Sequence, residues 1–417
     1  MSAPVISLEP DPGRTALTYR LEKWRAASSG VLETAGTIFL LLIAVRCFQA
    51  GATAKALVAS GGSVGLLLTP AVVALVQQLG WPTARAAAVL AAGGSACFLV
   101  MAAVPSLPVF VLGSVLSMAG ASAAVPLMTQ VYQENYPAAR RGHFFSRTVM
   151  IRIGVAALFS EMAGQAFSRH LDQFRLLLLV FAAAFAAAAF SLARCPSRPL
   201  QRAGSLNPVR SLRYVRSDRV FRQTLICWML MGFANLMMLP MRVEYLANPR
   251  YGLALSPGEI AFLIGVVPNS ARLLLSPVWG WLFDRMNFFV LRVTLNVGFA
   301  LGILAFFTSD NVTGLVMGAI IHGIANAGGD VAWGLWVTKF APPNRVADYM
   351  SVHTFFTGVR GVAAPIVAFH LVTRISMSSL GFIAGGLIVL ASLLLLPEIP
   401  HGRGRSPAAA LTEDIAE

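Results

Sequence analysis

The chain has 417 residues, is 57% hydrophobic and only 12% charged, and carries a formal net charge of +14; an average soluble domain has about twice that share of charged residues. One soluble core of this length cannot bury so much apolar surface, and long unbroken Ala/Leu/Val runs exclude the alternating segments of a membrane β-barrel. The basic residues stand between apolar runs rather than along an aromatic-bearing face, which argues against nucleic acid as a partner.

Residues 1–29 read as a polar N-terminal tail without a cleavable signal peptide. Six apolar stretches long enough to cross a bilayer follow at about 31–51, 56–79, 86–104, 109–132, 148–167 and 176–194. Residues 195–222 form a basic linker rich in Pro and Arg, suited to anionic lipid headgroups. Six more spans are expected at about 223–246, 257–282, 289–308, 313–337, 350–372 and 378–397, before a tail from 398 to 417. The breaks after spans one and four are weak, so eleven spans are the alternative. The predicted fold class is therefore an all-α membrane protein of about twelve transmembrane helices in two bundles, 30–194 and 223–397.

With the N-terminus inside, the tails and inner loops hold about two thirds of the 32 basic residues, whereas the outer loops hold Lys55, Arg169, Arg175, Arg250 and Arg374. The positive-inside rule then places both termini in the cytoplasm. Lysine occurs only at 23, 55 and 339; with abundant Ala, this suggests a GC-rich bacterial gene and hence a bacterial inner membrane. Four scattered cysteines give neither a disulfide framework nor a metal site. No nucleotide loop or nucleophile–base set is visible, so no cofactor, ATP hydrolysis or enzymatic activity is expected.

Charges inside a bilayer are costly and by default face the protein interior. Spans three, six, nine and twelve read as uncharged, with Arg292 counted in the basic loop 285–292. Spans one, five, seven, eight, ten and eleven carry Arg46, Arg152, Glu161, Arg242, Glu244, Arg272, Asp330 and Arg360. Glu33, at the inner end of span one, reads as an interfacial or capping charge. In span seven, Pro240 predicts a kink, and Arg242 with Glu244 are candidates for an outer gate or for headgroup anchors. In span ten, His322, Asn326 and Asp330 recur every fourth residue, which places them along one helix face. A carboxylate passing between a dry site and an arginine could carry a proton, so Asp330, His322 and Glu161 are proton-coupling candidates. The competing reading is a fixed bridge from Asp330 to Arg272 or Arg360. Arg46, Asn235, Asn269, Arg272, Asn326 and Arg360 are candidate solute ligands. Their guanidinium forks suit carboxylate or phosphate, unless Arg152 and Arg242 snorkel to headgroups and leave a nearly neutral site.

An internal repeat joins the halves. Thr69-Pro70 and Ser276-Pro277 each follow three leucines, and Tyr136–Arg140 before Ser146 matches Pro342–Arg345 before Ser351. Span eight ends in Gly280-x-Leu282-x-Asp284-Arg285, whose first-half copy has decayed to Val73 and Gln77-Gln78. Two six-span halves, a basic central loop and this signature resemble the major facilitator superfamily. The resemblance implies two pseudo-symmetric bundles whose third helices are peripheral, and a gating role for Gly280, Asp284 and Arg285. The family's Gly-Pro antiporter signature is missing from residues 154–165, which weakens a drug/proton antiporter reading. The expected function is secondary active transport of a small, anionic organic solute by alternating access, with a proton as coupling ion, by a monomer in the lipid bilayer. The alternatives are a lipid or drug exporter of the same fold, or a transport-dead receptor or scaffold.

Overall fold

The computed structural model describes residues 11–137, 140–200, 213–336 and 346–403. The middle of the expected linker, the second copy of the repeat at 342–345 and the outer parts of both tails lie outside these residues. Among the described residues, twelve helices are long and apolar enough to span a membrane. They are α1 (Pro12–Arg46), α2 (Ala52–Leu79), α3 (Thr83–Ala103), α4 (Leu107–Asn135), α5 (Arg141–Arg169) and α6 (Leu171–Ala193) in the first half. The second half holds α7 (Arg219–Ala247), α8 (Pro257–Arg285), α9 (Phe288–Phe307), α10 (Val312–Leu335), α11 (Val346–Leu371) and α12 (Met377–Leu395). Even numbers of crossings bring both ends of the described chain to one face, called here the termini side.

The first helix departs most from expectation. It starts at Pro12, with Asp11 accepting from Gly13 N and Arg14 N as its N-cap, rather than near residue 31. The polar stretch 12–29 is stabilised by the C-terminal end of α4: Arg14 pairs with Glu134, Thr15 donates to the Asn135 carbonyl, and Arg25 and Tyr132 both bond Glu22. Hydropathy alone misses such a segment because its polar groups are satisfied inside the protein. Two single π turns interrupt the ladders, Ala35–Phe39 in α1 and Phe262–Val266 in α8. They face each other: a Cβ on Gly265 would lie 3.0 Å from Ile38 Cδ1. Such turns concentrate at functional sites.

The repeat has a shared local structure. Thr69 Oγ1 donates to the Gly65 carbonyl and Ser276 Oγ to the Arg272 carbonyl, each one turn back and each beside an in-helix proline, Pro70 or Pro277. Proline removes a backbone donor, and the neighbouring hydroxyl offers a bond in the same turn. The first linker residues are pinned to the bundle: Thr83 N donates to the Arg198 carbonyl, and Arg198 N to Glu134.

Small residues set helix spacing, since lipid supplies no hydrophobic drive for helix association. In α3, a Cβ on Gly94 would meet the Phe185 ring of α6 at 2.7 Å, whereas one on the adjacent Gly93 would meet nothing within 4 Å. Gly94→Leu is therefore expected to lower the thermal unfolding temperature by several degrees, as overpacking by about 1–3 kcal/mol would, while Gly93→Leu leaves it unchanged. Equal effects of the two substitutions would refute this packing.

Candidate functional site

Four charged residues from four helices meet between the halves. Arg272 of α8 is 6% exposed. Its Nε bonds Asp330 Oδ2 of α10 at 2.6 Å, and its Nη1 bonds Glu33 Oε1 of α1 at 2.7 Å, with Asn269 Oδ1 at 3.4 Å. The other oxygen of Glu33 stands 3.2 Å from Arg152 Nε of α5. The run Arg152–Glu33–Arg272–Asp330 thus alternates in sign, sums to zero and crosses from one half to the other. Its depth follows from helix rise. Counted from the ends opposite the termini, the four lie about 20–27 Å along their helices, in the termini-side part of a hydrocarbon core about 30 Å thick.

The expectation for Glu33 is corrected. It caps no helix but pairs with Arg272 and Arg152, and with Arg152 it is the first half's contribution to the site. Its depth was misread because α1 begins well before the apolar run. Of the two bridges considered for Asp330, the structure forms the one to Arg272. Arg360 goes elsewhere: it is buried in the second half, donating to the Trp228 carbonyl of α7.

A cavity of about 530 Å³ lies on the termini side of this network. Arg25 and Glu33 of α1, Met118 and Tyr132 of α4, Arg152 of α5 and Arg272 line it. On the opposite side the halves are closed against each other. Lys55 of α2 reaches Glu244 of α7 at 2.5 Å, and Asn248 donates to the same carboxylate at 2.8 Å. Arg46 donates to the Leu255 carbonyl, Gly258 N to Ser168 Oγ, and Thr53 bonds His370. Glycines bring the backbones together there: a Cβ on Gly361 would overlap Ser63, and one on Gly164 would overlap Ala261. Among the described residues, no hydrogen bond or ion pair joins the halves on the termini side of Glu33–Arg272. Among the described residues, the polar and glycine contacts between the halves gather at one end, and the cavity lies toward the other.

The remaining candidates sort by this geometry. Arg46 and Glu244 belong to the closed end. Arg242 is buried 5.3 Å from the Phe306 ring centroid, within the second half. Pro240 stands inside the continuous helix α7. Asn235 and Asn326 are half-buried, with no side-chain hydrogen bond among the described residues. Glu161 accepts from Gln165 on its own helix, not from Asp330's neighbours. His322 does not share the Asp330 site; it is buried with its ring edge-on to Phe299 of α9, 5.7 Å away. Eight residues advance a helix by just over two turns, and the surplus, about 80° at 3.6 residues per turn, carries His322 to another face. Asp284 and Arg285 are exposed, Arg285 lying over Trp281, and a Cβ on Gly280 would meet nothing within 4 Å. Among the described residues, no neighbouring helix packs against Gly280. Arg292, assigned by sequence to a loop, lies inside α9 and is 1% exposed. Lys55, read as an outer-loop charge, is a buried partner in the closed end.

Residues 245–415 match the family model of the Major Facilitator Superfamily. No curated protein matches the chain. Among solved structures, the nucleoside transporter NupG is 13% identical, with a TM-score of 0.73 over 92% of this chain and 98% of that one. A D-xylose-proton symporter is 16% identical, with a TM-score of 0.70 over 94% and 98%. The human organic anion transporter MFSD10 is 14% identical, with a TM-score of 0.65 over 92% and 100%. The match to the family model covers residues 245–415, and the fold of the whole chain is that of these solved transporter structures, a multi-pass membrane fold of twelve long apolar helices among the described residues.

Breaking one side of a buried ion pair strands the other charge, at about 3–5 kcal/mol. Glu244→Gln is therefore expected to lower the unfolding temperature markedly, and adding Lys55→Met to restore much of the loss. A double variant as unstable as the sum of its parts would contradict this account of the closed end.

Proposed function

We propose that this protein is a secondary transporter that moves a small organic anion together with a proton by alternating access. The supporting observation is the charge balance of Arg152–Glu33–Arg272–Asp330 beside the cavity. All four charges are matched, so an anion cannot bind there without leaving one carboxylate unpaired at depth, which is costly. A proton on one carboxylate removes that conflict. It frees a guanidinium fork for the solute and keeps the loaded site neutral. Asp330 suits this role because its side chain is 44% exposed at the open end of the run, whereas that of Arg272 is 7% exposed. Proton and anion then bind cooperatively, and the coupling ratio is one to one.

The present state faces the termini side. By the distribution of Lys and Arg, that side is the cytoplasm, in a bacterial inner membrane. Release of proton and solute there restores the Arg272–Asp330 and Arg272–Glu33 bonds. The opposite state breaks Lys55–Glu244 and the glycine contacts of the closed end and brings the termini-side ends together. Asp284 and Arg285, unlatched here, sit where they can close that gate. The similar structures include an organic anion transporter and a proton symporter, so this fold serves both kinds of chemistry in other proteins.

The test is uptake of labelled carboxylates, phosphates, sugars and nucleosides into proteoliposomes with and without an inwardly directed proton gradient (acid outside). Anions are expected to accumulate with the gradient. Asp330→Asn is expected to abolish gradient-driven accumulation and retain downhill counterflow, because the amide mimics a protonated carboxyl. Arg272→Lys is expected to weaken solute binding about tenfold or more through loss of the planar fork. Asp284→Asn is expected to slow exchange at unchanged affinity. Accumulation of neutral solutes alone, or full gradient-driven uptake by Asp330→Asn, would overturn the reading.

A further inference from the structure

The cavity beside the charge run is polar at its two ends and apolar along its walls, and that division restricts what can fill it. Except for Arg272, the residues that line it belong to the first half. Glu33, Arg152 and Arg272 stand at the deep end, and Arg25 and Tyr132 at the other. From Arg25 to Glu33 the α1 helix rises about 12 Å. Along that length the walls are Ala87 and Ala91 of α3, Val125 and Met128 of α4, and Ala188 and Leu192 of α6. Alanines on α3 and α6 leave room that longer side chains would fill.

The charges at the two ends are not equivalent. Arg25 bonds both oxygens of Glu22, at 2.7 and 2.9 Å, and donates also to Tyr132 and Ser29. That end is neutral and gives a second anionic group no free partner. At the deep end the run sums to zero, so with one proton bound it takes one negative charge. Arg152 is placed to share it: its side chain is 37% exposed, and its Nε, 3.2 Å from Glu33, makes no hydrogen bond among the described residues. The hydroxyls of the walls are largely engaged. Ser29 accepts from Arg25, Thr129 donates to the Val125 carbonyl, and Tyr132 donates to Glu22. A sugar or nucleoside would bring more polar groups than such walls can answer, at a cost for each one left without a partner.

Resting on the proton–anion reading above, we propose that the solute is an organic monoanion with a compact apolar body. Its carboxylate lies on Arg152 and Arg272, and an aromatic or branched hydrocarbon body lies along α3, α4 and α6. Ligand pockets combine a mainly apolar lining with a few polar groups that fix orientation. Burying the body contributes affinity in proportion to its apolar area. That contribution comes from the first half alone, whereas the head engages both halves. A dicarboxylate or sugar phosphate would set its second polar end against an apolar wall or the neutral Arg25–Glu22 pair.

Phenylpropionate is the probe, because its head and its body can be varied separately. The labelled compound is dialysed to equilibrium against the purified full chain in lipid nanodiscs, with empty nanodiscs as the blank, in mildly acidic buffer that supplies the proton. The expected result is saturable binding of one molecule per chain. Propionate (head alone), succinate (a second charge in place of the body) and phenylpropionamide (body without charge) are each expected to compete about tenfold or more weakly. Ala91→Phe builds a ring into the wall and is expected to weaken phenylpropionate by about tenfold or more. Propionate or succinate competing as well as phenylpropionate would overturn this proposal and leave the anion reading standing. Phenylpropionamide competing equally would overturn both, since the charge would then contribute nothing. Absence of saturable phenylpropionate binding, or a folded Ala91→Phe of unchanged affinity, would also overturn the proposal. Should Ala91→Phe not fold, the competition series on the wild type decides.

Discussion

A guanidinium held between two carboxylates, one from each half, is the interaction on which the rest of this structure depends. Arg272 bonds Asp330 within its own half and Glu33 across the interface, and Arg152 balances the far oxygen of Glu33. Arg272, the buried centre of the run, is not tolerable without its carboxylates, because an unpaired buried charge costs several kcal/mol, whereas Asp330 and Arg152 at its two ends are more than a third exposed. The arrangement is stable only as a set. Any event that neutralises one member, by protonation or by an incoming anion, changes what the others require. A transporter needs this property: a local charge event that alters how two rigid halves hold each other.

The two ends of the interface are built from different materials. The closed end uses contacts that are individually modest and geometrically demanding: a buried Lys55–Glu244 pair, glycines against Ser63 and Ala261, and a serine hydroxyl receiving the Gly258 N–H. The open end presents Arg25, Tyr132 and exposed Asp284 and Arg285, which are compatible with water. Within each half, packing is tight and mostly apolar, with aromatic clusters such as Phe39, Phe98 and Phe181 in the first. Polar contacts between the halves thus gather at their interface, while apolar packing dominates within each half.

Much of this was legible in the sequence. Apolar length gave twelve spans, the matched Thr69-Pro70 and Ser276-Pro277 announced two related halves, and Asp330–Arg272 was one of two bridges considered. What was missed has specific physical causes. Glu33 was taken as peripheral because residues 12–29 are too polar to read as a span; only tertiary partners such as Glu134 and Asn135 make them helix. Arg292 was counted in a loop because it stands one turn from the end of its apolar run, where composition cannot separate a headgroup charge from a buried one. His322 was placed with Asp330 by a four-residue spacing that, taken twice, drifts away from a single face. Lys55 looked like a topology signal, and its carboxylate partner is 189 positions away. Each error concerns a polar group whose role is set by a partner distant in sequence.

The claim that Glu33 and Arg272 hold the halves together is tested most directly by a double-mutant cycle in thermal unfolding. Glu33→Gln, Arg272→Gln and the combined variant are compared with the wild type under identical conditions. Residues in one charge network are expected to couple by about 0.5–3 kcal/mol. The account predicts that the double variant loses clearly less than the sum of the two single losses, since each single change strands the other charge. Losses that add within error would show that the two residues do not act on each other, and would contradict the account.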